Sequence, residues 1–439
     1  MKTRLAIFAA AAALTLGGCS VYREYSRPEN IDTDGLYGFA VNDTTSVAEL
    51  GWRDFFRDTT LQHLIECALD NNRNLAIAAQ KVVEAEASLS VARLSMLPTA
   101  SFNPTFSLTG NTLNLPVNAS WEIDLRGSLT NARRSAMAGY EQSLVYRQSV
   151  ETELIASIAR AYYTLEMLDS KLAISRQTAA SWKENVRIMK AMKEAGMTNE
   201  ASVAQTEANS CSIEASLFDL EYQIQQMENT ICLLAGLKPQ HIERGTFDKS
   251  AIAMDTATGI PAQLLSRRPD VMSAELELRK AFYNTAAARS SFYPQLTLNG
   301  MAGLPVLSDF IVSLGASLAQ PIFNAGRNRA NLKIAKARQE EALLAFEQTL
   351  LEAGAEVNDA IGKCRAAESK TDIRIRQIEN LRSAVSSTEL LMHNSGATYL
   401  EVLTAQQSLL SARLLQISDQ YDTLDGMISL YKALGGGAR

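Results

Sequence analysis

Two long stretches without proline constrain the fold of this chain more than any other feature. The ten prolines all lie outside residues 117–238 and 322–439, which are rich in Ala, Leu, Glu, Gln, Lys and Arg. Proline breaks the interior of a helix, whereas those six residue types favour helix. Each stretch is therefore predicted to be helical and to be interrupted once, at Gly196 in the first and at Gly396 in the second.

The two stretches belong to a tandem duplication. Residues 96–98 (Met-Leu-Pro) have a counterpart in residues 292–294 (Phe-Tyr-Pro), and Gly127 has one in Gly326. Landmarks that recur about 200 residues apart indicate that one arrangement of elements occurs twice. The predicted divisions are a first repeat at 60–236, a linker packed at the waist at 237–268, a second repeat at 269–435 and a tail at 436–439.

Each repeat is predicted to contain a helix, two strands, a very long helix, a glycine turn and a returning helix. The first repeat begins with a helix at about 60–97. Asp270 is the predicted N-cap of the helix that begins the second repeat. The remaining predicted elements are a β-hairpin at 99–126, strands at 293–303 and 308–322, long helices at 128–195 and 325–395, and reversals at 195–199 and 395–399. At 1.5 Å per residue each long helix would reach about 100 Å, which is typical of coiled coils.

The predicted reversals follow the usual chemistry of helix ends. Gly196 and Gly396 can adopt the left-handed conformation that ends a helix, and Thr198 and Thr398 can cap the helix that follows. Thr398 and Glu401 also have the spacing of a capping box. These tips are therefore predicted to be sharp turns between antiparallel helices.

The strand-like segments alternate apolar and polar residues, most clearly in residues 112–125. A period of two predicts strands with one apolar and one polar face, and about ten residues is the length of a transmembrane barrel strand. A soluble sheet resting on the helices would show the same alternation. The polar face carries mainly Ser, Thr, Asn and Gln, which favours a water-filled lumen. Pro104 and Pro116 remove ladder donors and are predicted to mark bends or strand ends.

Four strands are too few to close a barrel, and open sheet edges are not tolerated in lipid. Other copies of the chain are therefore predicted to complete it. Two copies would give eight strands with an interior filled by side chains, and three would give twelve strands and a pore.

The N-terminus has the pattern of a bacterial lipoprotein signal. A basic start and an apolar run precede residues 16–19, Leu-Gly-Gly-Cys, which resemble a lipobox. Residues 1–18 are predicted to be removed, leaving 19–59 as an N-terminal segment anchored by lipid on Cys19. Ser20 resembles the residue that directs lipoproteins to the outer membrane. The alternative is an ordinary signal peptide followed by a chance cysteine.

The remaining composition disfavours several classes of function. A net charge of −6 without a basic cluster argues against nucleic acid as a partner. The three histidines are widely separated, and the sequence contains no P-loop, HExxH or GxSxG motif. Four cysteines besides Cys19 lack CxxC spacing and are predicted to be unpaired and packed between helices: Cys67, Cys211, Cys232 and Cys364.

Short motifs along nearly the whole mature chain resemble those of the TolC-like outer-membrane efflux proteins, in particular the lipoprotein branch that works with resistance-nodulation-division pumps. The order and spacing of these motifs along a duplicated chain carry the resemblance. They are Trp52-Arg53-Asp54-Phe55-Phe56, Leu61-Gln62-His63-Leu64-Ile65, Trp121-Glu122-Ile123-Asp124-Leu125, Arg267-Arg268-Pro269-Asp270-Val271, Gln320-Pro321-Ile322-Phe323, Gly326-Arg327, Tyr399-Leu400-Glu401-Val402-Leu403 and Tyr431-Lys432-Ala433-Leu434-Gly435-Gly436-Gly437.

The resemblance implies a mainly α fold with a small β part. Three copies would form a coiled-coil α-helical barrel in the periplasm and a twelve-stranded transmembrane barrel. The resemblance also implies a gate just past the second reversal, where Leu400 matches the family and Thr404 occupies the position of an aspartate. Thr404 carries no charge, so acidity at the gate would have to come from a neighbour such as Glu401. Gly196, Thr198, Gly396 and Thr398 would lie at the tips that contact a periplasmic adaptor.

The sequence thus predicts a passive exit duct in the outer membrane, fed by an inner-membrane resistance-nodulation-division pump and its adaptor. The predicted duct is not an enzyme and carries no cofactor besides the lipid. Two alternatives remain at this stage: a lipid-anchored periplasmic coiled-coil scaffold without a pore, and an enzyme whose site is too dispersed to recognise.

Overall fold

The computed structural model describes residues 23–28, 51–107, 112–247, 252, 268–305, 311–393 and 399–436. Cys19, Gly396, Thr398 and the predicted hairpin turn at 110–111 lie outside them. The helices are α1 Trp52–Phe55, α2 Thr59–Asn71, α3 Arg73–Leu94, α4 Ser128–Glu194, α5 Glu200–Leu234, α6 Pro269–Ser290, α7 Arg327–His393 and α8 Tyr399–Ala433. The strands are β1 Thr99–Phe102, β2 Thr105–Ser107, β3 Thr112–Ile123, β4 Gln295–Pro305 and β5 Ile311–Ala319.

The chain divides into two compact units, and each takes segments from both sequence repeats. The strand unit comprises Met1–Asp32, Ile77–Arg147 and Pro269–Leu351. The helix unit comprises Thr33–Ala76, Gln148–Arg268 and Glu352–Arg439. The compact units therefore differ from the two repeats, because equivalent parts of the repeats pack together.

The duplication is visible in the helix lengths. The two long helices α4 and α7 have 67 residues each, the returning helices α5 and α8 have 35 each, and α3 and α6 have 22 each. The helices therefore align residue by residue without gaps. Gly127 and Gly326, which precede the long helices, share a left-handed backbone with φ of 75° and 78°.

The single helix predicted at 60–97 is instead two helices, α2 and α3, separated by Asn72. The side chain of Asn72 accepts a hydrogen bond from the Leu75 amide at 3.0 Å and donates one to the Leu234 carbonyl at 2.8 Å. Asn72 thus caps α3 and ties it to the end of α5. Sequence periodicity does not show this break, because asparagine is tolerated within helices and its partner is distant in the chain.

The predicted N-cap role of Asp270 is wrong, because α6 already begins at Pro269. Asp270 lies in the first turn, where its carboxylate accepts a hydrogen bond from the Val271 amide at 2.9 Å. Proline is favoured at the first helical position because its fixed φ suits the helix. An N–H at that position would have no acceptor within the helix, so its absence costs no hydrogen bond.

The strands form one antiparallel sheet in the order β1-β3-β4-β5, with β2 also paired to β3. Phe102 lies opposite Val117 and Thr105 lies opposite Asn114, so β1 and β2 keep one register across the interruption at Pro104. The prediction that Pro104 marks a break is confirmed.

Pro116, by contrast, lies inside the central strand β3 rather than at a strand end. Its carbonyl accepts a hydrogen bond from the Asn103 amide at 3.3 Å, so its missing N–H also faces the interruption between β1 and β2. The opposite neighbour is Gly303, where an added Cβ would lie 3.1 Å from the Pro116 Cα. The sheet therefore accommodates a central proline by placing it beside a broken strand and opposite a glycine.

Candidate functional site

The apolar face of the sheet is exposed. The register places the odd residues of β3 on the same face as the even residues of β4 and β5. All five strands contribute large, exposed apolar side chains to this face: Phe102, Phe106, Val117, Trp121, Leu298, Val312, Leu314 and Leu318. A contiguous apolar surface of this kind marks contact with lipid or protein. The alternation predicted from the sequence is confirmed.

The opposite face is polar and linked by side-chain hydrogen bonds. Ser120 Oγ donates to Asn299 Oδ1 at 3.1 Å, and Asn299 Nδ2 donates to Ser317 Oγ at 3.4 Å. The three side chains connect β3, β4 and β5 across the sheet. Uncharged polar groups of this kind suit a surface that faces water.

The first helix reversal is a glycine-terminated hairpin, as predicted. Gly196 has φ of 74°, its amide donates to the Lys193 carbonyl at 2.9 Å, and the Met197 amide donates to the Met192 carbonyl at 2.8 Å. This pattern is the Schellman motif. Gly196 therefore ends α4 and turns the chain toward α5.

The helix cap predicted at Thr198 is wrong, because Asn199 has that role. The Asn199 side chain accepts a hydrogen bond from the Ser202 amide at 2.9 Å. Thr198 lies one residue outside the cap. Threonine and asparagine are both good caps. The glycine turn at residues 196–197 leaves Asn199, rather than Thr198, directly before the first helical residue of α5.

Ion pairs join the two helices on either side of this reversal. Lys183 with Glu214 (3.4 Å), Lys190 with Glu207 (2.6 Å) and Arg176 with Glu221 (2.7 Å) all connect α4 to α5. These side chains are largely exposed, so each pair contributes little stability. Their succession shows that α4 and α5 run antiparallel from the tip.

The second hairpin is held by more buried charges. Asp425 of α8 accepts from Arg160 of α4 at 2.8 Å and also pairs with Lys363 of α7. Asp419 of α8 pairs with Arg374 of α7 at 2.9 Å, and only 8% of the Asp419 side chain is exposed. Two carboxylates of α8 are thus clamped by basic groups of its neighbours.

The predicted gate residues lie at the start of α8. Leu400 is in the first turn, with 65% of the residue exposed. Thr404 is also exposed, and its hydroxyl donates to the Leu400 carbonyl at 2.8 Å. Leu400 therefore has no role in the core of this chain, which leaves its apolar side chain available to another copy.

A short N-terminal strap, residues 23–28, lies on the strand unit. The Tyr25 ring meets Phe282 edge to face at 5.9 Å, and the Arg27 guanidinium lies over the Phe346 ring at 5.4 Å. Arg27 also pairs with Glu275 at 3.5 Å. Burial, together with the nearby Glu275 carboxylate, raises the pKa of Tyr25 to about 12. These contacts fix the chain from Tyr25 onward, six residues after Cys19.

Nothing in the described part of the chain points to catalysis or metal binding. The described residues contain no cluster of His, Cys, Asp or Glu able to hold a metal, and both His63 and His241 are exposed. The described residues include four cysteines, and all four are free: Cys67, Cys211, Cys232 and Cys364. Cys232 and Cys364 are buried between helices as predicted, but Cys211 is exposed, so the prediction is wrong for that residue.

No helix within the described ranges is both long enough and apolar enough to cross a membrane.

Comparison with known proteins extends over nearly the whole chain. The family described as outer membrane efflux protein matches residues 64–237 and 260–436, one segment for each repeat. The cation efflux system protein CusC of Escherichia coli O6:H1 is 29% identical over 452 residues, covering 97% of each chain. The pyoverdine export outer membrane protein OpmQ of Pseudomonas putida is 30% identical, covering 88% of each. A crystal structure of CusC superposes with a TM-score of 0.84 and 27% identity, covering 94% of this chain and 99% of that one.

Proposed function

Because this chain belongs to the outer membrane efflux protein family, we propose that three copies combine their strands into one twelve-stranded barrel and their long helices into a tunnel. The protein is the outer-membrane exit duct of an efflux system. It conducts solutes passively from a pump to the exterior. The proposal is the trimeric assembly and the gate that opens it.

The sheet carries this proposal. It is four positions wide, from β1 and β2 at one edge to β5 at the other, with an exposed apolar face and a polar face opposite. A membrane-embedded sheet needs partners for both edges. Further copies of the same chain supply them if β5 of one copy pairs with β1 and β2 of the next. The polar face with Ser120, Asn299 and Ser317 would then line the pore.

The helix ends support a gate. Gly196 and Asn199 shape the first tip, and Leu400 at the start of α8 is apolar yet exposed. Three copies of Leu400 would form an apolar ring at the periplasmic aperture, with Thr404 one turn further along. The tips at Gly196, Thr198, Gly396 and Thr398 would contact a periplasmic adaptor, and the docked adaptor would splay the helices apart.

Lipid on Cys19 would anchor the chain beside its own strands. The strap at 23–28 is fixed on the strand unit through Tyr25 and Arg27, and the six residue steps from Cys19 to Tyr25 reach at most about 22 Å. Acyl chains bind the bilayer through about 0.8 kcal/mol per buried CH₂. The lipid would therefore enter the membrane close to the base of the sheet.

An inner-membrane resistance-nodulation-division pump would supply the energy through the adaptor. CusC is named for cations, OpmQ for pyoverdine and TtgI for toluene, at 29–30% identity to this chain. Such dissimilar cargoes on one scaffold favour a duct that leaves substrate selection to the pump.

Conductance of the purified lipoprotein in planar bilayers, with its mass measured on the same sample, tests the proposal. We expect a trimer with a small conductance, because the gate is closed, and a larger conductance for Leu400→Ala. Leu415→Ala is the matched control, since Leu415 is also an exposed leucine of α8 but lies away from the tip. A monomer that conducts no ions would overturn the proposal.

A further inference from the structure

A cavity of about 170 Å³ lies in the helix unit, where α4, α7 and α8 meet. Trp182 of α4 and Val385 of α7 form part of its wall, together with Leu409 and Leu410 of α8. All of these residues belong to one chain, so the cavity requires no second copy.

Several polar side chains at the cavity already have hydrogen-bond partners. Gln406 of α8 accepts from Asn185 of α4 at 2.9 Å and donates to Glu389 of α7 at 3.0 Å. The hydroxyls of Thr178 and Ser181 donate to backbone carbonyls of their own helix, at 2.8 and 3.3 Å. Gln406 therefore ties the three helices together beside the cavity.

Three other side chains of the cavity wall make no hydrogen bond or ion pair within the described part of the chain: Gln177, Trp182 and Arg413. Trp182 is only 2% exposed, and Arg413 is half-buried. No Asp or Glu is among the described residues that line the cavity. The wall therefore carries one positive charge and N–H donors, without a negative charge to balance them.

The size and the apolar part of the wall limit what can bind. A cavity of about 150 Å³ accommodates benzene, so this one fits a single ring with a small substituent. A cation would be repelled by Arg413, and an uncharged hydrocarbon would displace water from the guanidinium without replacing its hydrogen bonds. The wall therefore favours an apolar body that carries one negative group.

We propose that this cavity binds a benzoate-sized organic anion, with its charged group on Arg413 and its apolar body against Trp182 and Leu410. The guanidinium has a planar set of N–H donors that matches a carboxylate. The Gln177 amide and the Trp182 indole are further donors at the same cavity. Leu409 and Val385 complete the apolar wall.

The bound anion would regulate the duct, because it contacts both helix hairpins of the chain. α4 belongs to the first hairpin, and α7 and α8 form the second. The proposed gate opens when the helices splay apart, and a ligand that fits only one arrangement of the helices shifts the population toward it. The anion therefore favours the closed gate. This effect rests on the proposed function, whereas the binding does not.

Calorimetric titration of the full lipoprotein with benzoate, in a nonionic detergent, tests the binding. We expect one saturable site per chain. Benzamide has the shape of benzoate without its charge, and acetate has the charge without the ring, so each should bind at least about tenfold more weakly. Equal binding of either analogue, or no binding of benzoate, would overturn the anion site.

Substitutions locate the site. Arg413→Gln should weaken benzoate binding at least about tenfold, and the fold should tolerate it because Arg413 makes no ion pair among the described residues. Leu410→Trp keeps the charge, fills the cavity and should also prevent binding.

Arg376→Gln is the matched control, since Arg376 is an exposed arginine of α7 that does not line the cavity. It should leave the affinity for benzoate unchanged. Circular dichroism and mass verify that each variant is folded and assembled. Unchanged affinity in Arg413→Gln, or an equal loss in Arg376→Gln, would overturn the site.

Conductance in planar bilayers separates this inference from the proposed function. Benzoate at constant ionic strength should lower the conductance of the wild type and leave that of Arg413→Gln unchanged. A conducting trimer that binds benzoate without a change in conductance would refute the regulation. A conducting trimer that binds no benzoate would refute the whole inference and leave the duct intact. A silent monomer that binds benzoate through Arg413 would refute the duct and leave the binding site intact.

Discussion

Tyr162 and Tyr163 are neighbours on α4, and both are fully buried, but their hydroxyl groups differ. Tyr162 donates to Asp58 Oδ2 at 2.9 Å and accepts from the Gly245 amide at 3.1 Å. The Tyr163 hydroxyl has no hydrogen-bond partner among the described residues. One side chain therefore joins α2 and the linker to α4, while the other contributes only its ring.

We expect Tyr162→Phe to lower the free energy of unfolding by about 1 kcal/mol, because it removes the hydrogen bonds to the half-buried Asp58 carboxylate and to the exposed Gly245 amide. Tyr163→Phe should be neutral or stabilising, since it removes a hydroxyl that has lost water without gaining a partner. Urea unfolding in detergent followed by circular dichroism measures both. Equal effects of the two substitutions would contradict the assigned hydrogen bonds.

Burial raises the pKa of both tyrosine hydroxyls. A folded-state pKa above the unfolded value of about 10 means that the contribution to stability is complete below pH about 10 and is lost as the pH rises through the folded value. The unfolding free energy of the wild type should therefore decline in alkali. That decline should be shallower in Tyr163→Phe, as pH-dependent urea titrations would show.

At the scale of the element, the start of α5 tests how the tip is built. Asn199→Ala should fray the first turn of α5 and cost about 1 kcal/mol locally, because the Ser202 amide loses its acceptor. Thr198→Ala, one residue earlier, should not. Hydrogen exchange at the Ser202 amide measures the difference. Faster exchange in Thr198→Ala, with no change in Asn199→Ala, would show that Thr198 is the cap.

The second prediction at this scale concerns the ion pairs of Asp425 on α8. Asp425→Asn leaves Arg160 and Lys363 without their shared carboxylate, whose side chain is only 16% exposed. We expect a loss of about 2 kcal/mol. Glu221→Gln removes an exposed pair with Arg176 and should cost less than about 1 kcal/mol. Thermal unfolding compares the two, and an equal loss would argue against the clamp.

At the scale of the whole molecule, the two faces of the sheet must meet different surroundings. Val117→Arg places a charge on the apolar face, which should cost about 2–4 kcal/mol per chain at mid-membrane and prevent insertion. Asn118→Arg, on the polar face of the same strand, should insert. The amount of assembled protein in outer-membrane fractions decides the matter. Normal assembly of both variants would favour the scaffold without a pore.

Local chemistry allowed much of the fold to be predicted. Proline placement together with the glycine breaks gave α4 and α7 to within two residues of their observed limits, and the period of two in residues 112–125 gave the faces of β3. These predictions succeed because backbone donors and side-chain alternation act over a few residues. The break at Asn72 and the cap at Asn199 were not predicted, since each depends on a partner or a turn length outside the local pattern.

The gate and the adaptor contact at the tips were predicted from the family resemblance and the lipid site from a lipobox-like pattern, and the described residues include only part of them. Leu400 and Thr404 begin α8, but their roles require a ring of copies. A single chain cannot form a site from residues that meet only across a symmetry axis.

The sequence by itself determined that two similar units occur, that each contains very long helices, and that the strands have one apolar face. It could do so because helix and strand preferences are short-range. Only the tertiary structure decided which repeated surfaces are covered. Tyr421 of α8 packs against Thr164 of α4, whereas the aligned Tyr222 of α5 stays exposed. The physical reason is that a duplicated chain has two copies of each contact surface but satisfies one contact within itself.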